Sequence, residues 1–143
     1  MLGSSFAAGE GRSAAVAPNV PREARRQRGH RSHLSGAAAE DSVATHYGAA
    51  GLPIAARRWR GRSGEVDLIT QDGDGLVFIE VKRARTFAAA AERITARQIQ
   101  RIVNAACEYL AQMPLGQATP IRFDVALVND MGQVRILEGA FTG

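Results

Sequence analysis

The sequence predicts an α/β fold, a mixed β-sheet of about five strands flanked by helices. Three observations predict it. Residues 64–83, GEVDLITQDGDGLVFIEVKR, are two apolar runs joined by Asp72-Gly73-Asp74-Gly75, and Asp-Gly between β-branched runs marks a hairpin. Segments of helical period, 35–51 and 89–112, lie on either side of that hairpin. Two further β-rich runs, 120–129 and 133–137, meet at Asp130-Met131-Gly132. Strands, then a long helix, then more strands is the order in which a crossover helix brings a later strand parallel to an earlier one. At 143 residues the chain is the size of a single domain.

Residues 1–35 stand apart. They carry six arginines against two glutamates, without periodicity, and read as a disordered basic tail; residues 36–143 then form the domain. The chain's net charge of +4 equals the surplus in this tail, so the domain itself is neutral. The high pI is therefore not a sign of a basic face on the domain. The tail lacks the apolar stretch of a secretory signal, and no run is long enough to cross a membrane, so no membrane role is expected. The single cysteine, Cys107, excludes an internal disulfide, fits a reducing cytoplasm, and reads as a small buried residue of the second helix.

Ser35 can cap the first helix and Gly51 can end it. Glu40, Val43, Ala44 and Tyr47 share one face at i, i+3, i+4 and i+7, which turns a carboxylate inward, whereas His46 falls one residue off the stripe and is expected outside. Residues 52–59, entered through Pro53, read as an edge strand. Around Trp59 stand Arg57, Arg58, Arg60 and Arg62, suited either to phosphate and base contacts or to a solvated rim with Trp59 packed on arginine stems.

The hairpin carries the chemistry. If its turn is centred on Gly73-Asp74, paired positions sum to 147, so Asp67 lies opposite Glu80 and Glu65 opposite Lys82. Opposed side chains on antiparallel strands stand about 5 Å apart at Cβ. Two carboxylates that close repel unless one is protonated or a cation lies between them, and a hard divalent cation fits. A bulged turn would shift this register and break the pairing. Lys82 is the one lysine among 18 basic residues, and Arg83 extends the basic character beyond it.

In the long second helix, Ile99, Ile102, Val103, Ala106, Tyr109 and Leu110 form the apolar stripe, while Arg93, Arg97 and Arg101 recur on another face. That basic row either tracks a phosphate backbone or is a solvated face. Asp124, inside the following strand, is a second candidate acid; it reads better as a structural carboxylate paired with an arginine or capping a backbone group.

Asp67 followed by Glu80-Val81-Lys82 across a hairpin resembles the PD-(D/E)xK nuclease motif, with Val66 where a proline often stands. With Glu40 in the preceding helix, Arg57-Arg58-Trp59-Arg60, Gly64-Glu65-Val66-Asp67-Leu68-Ile69 and Arg122-Phe123-Asp124-Val125, the ordered set over residues 36–141 resembles the YraN-like family of restriction-endonuclease-like fold, related to Holliday-junction resolvases. The resemblance implies a nuclease for structured or branched DNA, working with Mg²⁺ or Mn²⁺ and no small-molecule cofactor. Asp67, Glu80 and the Val81 carbonyl would bind metal, Lys82 would be catalytic, and Glu40 would approach the metal directly or through water. Gln98 would lie beside the site and, with Arg57, Arg58, Arg60, Arg62, Arg83 and Arg97, contact DNA. A homodimer is expected from the junction-cutting relatives. The alternatives are a non-catalytic nucleic-acid-binding module that keeps the fold, and a protein-interaction domain in which Glu65 with Lys82, and Asp67 with a surface arginine, are ion pairs.

Overall fold

The computed structural model describes the backbone of residues 28–142, with side chains described from residue 36. Of the expected disordered tail, residues 1–27 lie outside the described residues. The elements run α1 (Arg28–Ala49), β1 (Ile54–Arg60), β2 (Glu65–Asp72), β3 (Gly75–Arg83), α2 (Phe87–Ala91), α3 (Ala96–Leu110), a 3₁₀ turn (Gly116–Ala118), β4 (Ile121–Val128) and β5 (Val134–Phe141). The first helix thus begins earlier than a Ser35 cap would allow, and the last strand continues past Leu137.

The strands form one sheet in the order β1-β2-β3-β4-β5. All neighbours are antiparallel except β3 and β4, which the α2–α3 crossover makes parallel. The β3 run is apolar on both sides because both sides are covered. Val77 and Ile79 pack with Val43, Tyr47 and Leu52 beneath α1. Leu76 and Phe78 pack with Ile102, Ala106 and Leu110 of α3. A smaller cluster seats α2 on β4 through Ala90, Val125 and Leu127. Helices therefore cover both faces of the sheet.

The hairpin closes as expected. Asp72 pairs with Gly75, and the register holds from there to Leu68 opposite Ile79. Gly73 takes φ 62° at the first central position while Asp74 keeps a negative φ, as in a II′ hairpin turn. Gly75 is required for a different reason: a Cβ there would stand 2.6 Å from the Pro120 carbonyl oxygen, which accepts the Leu76 N–H at the start of the β3–β4 ladder.

The expected second helix is two helices. Thr86 caps α2, and the chain leaves helical geometry before Thr95 starts α3 with a reciprocal capping box to Gln98. Arg93 therefore lies outside α3, and the basic row is broken. The buried stripe of α3 is Ile102, Ala105, Ala106 and Leu110, which turns Cys107 to solvent. His46 is buried, not exposed, because α1 presents a face wide enough to hold Ala39, Val43, His46 and Tyr47 against the sheet. Its ring nitrogens have no partner among the described residues, and burial holds its pKa below the ordinary histidine value.

Asp124 is fully buried and joins three elements. Its carboxylate accepts from Tyr47 Oη of α1 at 2.7 Å, from Arg122 Nε and Nη2 at 2.8 and 3.0 Å, and from the Gly139 N–H of β5 at 3.1 Å. This is the structural role read from the sequence. Removing the carboxylate would leave a half-buried guanidinium, a hydroxyl and an amide without a partner. Asp124→Ala is expected to cost about 3–5 kcal/mol, and Tyr47→Phe about 1.5–3 kcal/mol. Urea denaturation measures both; losses under 1 kcal/mol would show that the network does not hold these elements together.

Candidate metal centre and its arginine flank

The site grows from three successive strands of the sheet. Past Leu68–Ile79, the last pair of the β2–β3 ladder, the alternation of β2 breaks, with Val66 and Ile69 both in the cluster under α3, and Asp67 comes within hydrogen-bond reach of Glu80. On the other side, Arg57 pairs with Leu68 and Trp59 with Val66 without a shift, so Arg58 stands across from Asp67. Arg58, Asp67 and Glu80 are thus neighbours on three successive strands. Lys82 follows two residues along β3.

The hydrogen bonds fix each group. Asp67 Oδ2 accepts the Val81 N–H at 2.8 Å. Lys82 Nζ lies 3.1 Å from Glu80 Oε2, with the two side chains 14% and 13% exposed, so this ion pair is largely desolvated. Glu65 does not meet Lys82; it pairs with Arg60 at 3.6 Å. Glu40, on α1, lies 3.1 Å from Arg58 Nε. Four carboxylates therefore meet three cations: Glu40 takes Arg58, Glu65 takes Arg60 and Glu80 takes Lys82. Asp67 is left without an ion pair among the described residues.

The electrostatics follow from that imbalance. Burial first, and then the Glu80 charge, push the Asp67 carboxyl up to about 7, against the stabilising Val81 N–H; Glu40 adds to the rise. Burial also raises Glu80, with Lys82 opposing. The two carboxyls lie within hydrogen-bond reach of each other, and the bond between them favours the proton on Asp67. Among the described residues, no three His, Cys, Asp or Glu side chains gather closely enough to form a metal cluster. The oxygens at hand are two carboxylates, hard donors carrying excess negative charge, which suits a hard divalent cation.

The remaining expected site residues are dispersed. Arg57 pairs with Asp41 at 2.8 Å on the surface. Trp59 packs edge-on against Tyr109 at 5.3 Å and joins the core cluster under α3 instead of offering a face for stacking. The Arg62 and Ser63 amides donate to Glu108 of α3 at 2.7 and 2.9 Å, and Ser63 Oγ donates at 2.6 Å, which straps the β1–β2 turn to α3. Arg83 is half-buried at the end of β3, and Arg97 is exposed in the first turn of α3. Gln98 completes the α3 capping box, its Oε1 accepting the Thr95 N–H at 3.3 Å. Sequence reasoning missed the place of Arg58 opposite Asp67. Only the β1–β2 register could have revealed it, and the irregular turn between those strands carries no register signal comparable to Asp-Gly.

Fold and site together define an α/β protein with a five-stranded mixed sheet and a half-buried, under-neutralised acidic pair. Residues 39–128 match the family described as "Uncharacterised protein family UPF0102". The chain is 55% identical to a UPF0102 protein of Ruegeria pomeroyi over 80% of its own length and 93% of the relative's. It is 54% identical to one from Cereibacter sphaeroides over 79% and 97% of the two chains, and 43% identical to one from Roseobacter denitrificans over 83% and 92%. The chain belongs to the UPF0102, or YraN-like, family. Among the described residues no helix is long and apolar enough to cross a membrane.

The raised Asp67 carboxyl gives a pH test. The folded carboxyl keeps its proton to a higher pH than the unfolded one. The native state therefore binds more protons between about pH 4 and 7, and this group's contribution to stability falls across that window as pH rises, then levels off. Asp67→Asn removes the penalty and preserves an acceptor for Val81. With chelator present, the variant is expected to exceed wild type by at least about 1 kcal/mol at pH 8, and the gap should close toward pH 4. Denaturation at both pH values checks this; an equal gap at the two would refute the buried-acid account.

Proposed function

We propose that this protein is a divalent-metal-dependent nuclease of the PD-(D/E)xK kind, hydrolysing phosphodiester bonds in structured or branched DNA. The observation that carries the reading is the Asp67–Glu80 pair with Lys82 Nζ 3.1 Å from Glu80. Asp67, Glu80 and the Val81 carbonyl would hold Mg²⁺ or Mn²⁺, which when bound supplies Lewis acidity that lowers the pKa of water and offsets phosphate charge. Lys82 keeps a desolvated ammonium beside the metal-binding carboxylate, placed to orient the attacking water and to offset charge growing on the phosphate. Val81 contributes a second time through its N–H, which fixes one Asp67 oxygen. Arg58 and Arg60 border the site from β1 and favour a polyanionic substrate. A cytoplasmic location and a homodimer that spans the two arms of a junction belong to this reading.

A second reading is a module that binds nucleic acid without cutting it. It is favoured by one observation: Glu40 pairs with Arg58 and joins no three-acid cluster, so the donor set is small. Cleavage of labelled single-stranded, duplex, flap and four-way-junction DNA, with Mn²⁺, Mg²⁺ or EDTA, separates the two. The nuclease reading expects metal-dependent cutting reduced at least ~100-fold in Asp67→Asn, Glu80→Gln and Lys82→Ala. It also expects Mn²⁺ to raise the melting temperature of wild type but not of Asp67→Asn. Full activity in all three variants would end the mechanism, and metal-dependent binding without cutting would establish the module.

A further inference from the structure

Arg58 is the one non-glycine residue with positive φ, at 49°, among the described residues. A left-handed arginine is costly and persists only where its surroundings hold it. Nothing buries Arg58: its side chain is 53% exposed, while that of its partner Glu40 is 16% exposed. The strain coincides with a break in the alternation of β1, since Ala56 and Trp59, three residues apart, both pack into the cluster under α3. Between them the chain turns Arg58 toward α1, and its Nε meets Glu40. Its two terminal nitrogens have no partner among the described residues. Arg58 is also the cation across the ladder from Asp67, yet it forms no ion pair with it.

From this geometry we infer that Glu40 is a positioning residue that acts through Arg58, holding the guanidinium by one edge so that the other edge is presented to a substrate phosphate beside the Asp67–Glu80 pair. The assignment rests on the nuclease-site reading and refines it. Three consequences follow from the arrangement. A guanidinium held at Nε presents its outer N–H groups in a fixed fork, the geometry suited to a phosphate. Held on Glu40, Arg58 does not collapse onto Asp67 and neutralise it, so the acidic pair stays under-neutralised. Glu40, placed by sequence resemblance near a metal, affects the site by an ion pair to a neighbour. The Arg58 guanidinium is drawn further toward its charged form by Glu40 above all, then by Glu65 and Asp67, which is consistent with its lying over this acidic group.

The test is a double-mutant cycle on binding of a fluorescein-labelled four-way junction, read by anisotropy in EDTA over a salt series, with melting temperatures alongside. Arg58→Met and Glu40→Gln are each expected to weaken binding about tenfold, and Arg58→Met to lower the salt slope by about one. The double variant should bind no more weakly than Arg58→Met alone, because Glu40 has nothing left to position. Arg58→Gly should bind as poorly as Arg58→Met yet melt at a higher temperature than it, since glycine relieves the backbone strain. A Glu40→Gln loss that persists undiminished in the Arg58→Met background would overturn the assignment, as would wild-type affinity and salt slope in Arg58→Met. Wild type that binds and cuts while Arg58→Met is unaffected sinks this inference alone. Wild type that neither binds nor cuts any DNA sinks the nuclease reading and this one with it.

Discussion

The register between β2 and β3 is the constraint on which the site depends. A two-residue turn with glycine first fixes it, and each pair follows from the one before, from Asp72 with Gly75 to Leu68 with Ile79. Just past the end of that ladder, Asp67 comes within reach of Glu80. A slip of one residue would invert every side chain of β2 and send Leu68 and Ile69 to the wrong layers, at a cost of several buried side chains. The hydrophobic core thus enforces the opposition of two acids that would repel if left to themselves. Burying that repulsion is unfavourable for the fold alone, and the apolar strands on both sides of it supply the stability that makes it tolerable.

Charge around the site is arranged, not merely present. Arg58, Arg60 and Lys82 each take one carboxylate, and the one left over, Asp67, is held by a single backbone N–H. The same residues in another pairing would have neutralised Asp67: Arg58 stands directly across the ladder from it. The α1 helix prevents that by placing Glu40 within reach. Packing of α1 on the sheet through Val43 and Tyr47 is therefore coupled to the electrostatics of the site, although neither residue touches it. Glu108 does similar work on the other face, holding the β1–β2 turn so that Arg60 and Glu65 remain opposed.

Much of the fold was legible because it rests on local signals: alternation and an Asp-Gly turn for the hairpin, Pro53 for the edge strand, a second turn for the last two strands. The register as far as Leu68 and Ile79 was legible for the same reason, being a matter of counting from a turn. What escaped depended on helix rotation or long-range contact. His46 and Cys107 were assigned the wrong sides because a helical face is broad, and a difference of one residue, 100°, decides between core and solvent. The break before Thr95 was hidden by alanines that favour helix in any context; the Thr95–Gln98 box that starts α3 was present in the sequence but was read as a polar residue near a site. The partners of Lys82 and Glu40 could not be read at all, since the choice among three cations and four carboxylates is made by the packed structure.

Asp67 and Asp124 show how far neighbours decide what a buried aspartate does. Asp124 is the more deeply buried, yet a guanidinium in bidentate contact, a tyrosine hydroxyl and a backbone amide surround it, and every donor comes from an element it helps to join. Its charge is fully answered, so it stabilises the fold and has no remaining capacity for a ligand. Asp67 has one amide donor and an acid for a neighbour. Its charge is answered only by a proton or by something that arrives from solution. The β3–β4 ladder sets Ile79 beside Asp124, so the two acids are separated by a single strand of the same sheet. The two differ in the donors around them: at Asp67, burial and the Glu80 charge act against a single backbone amide, whereas a guanidinium, a hydroxyl and an amide all surround Asp124.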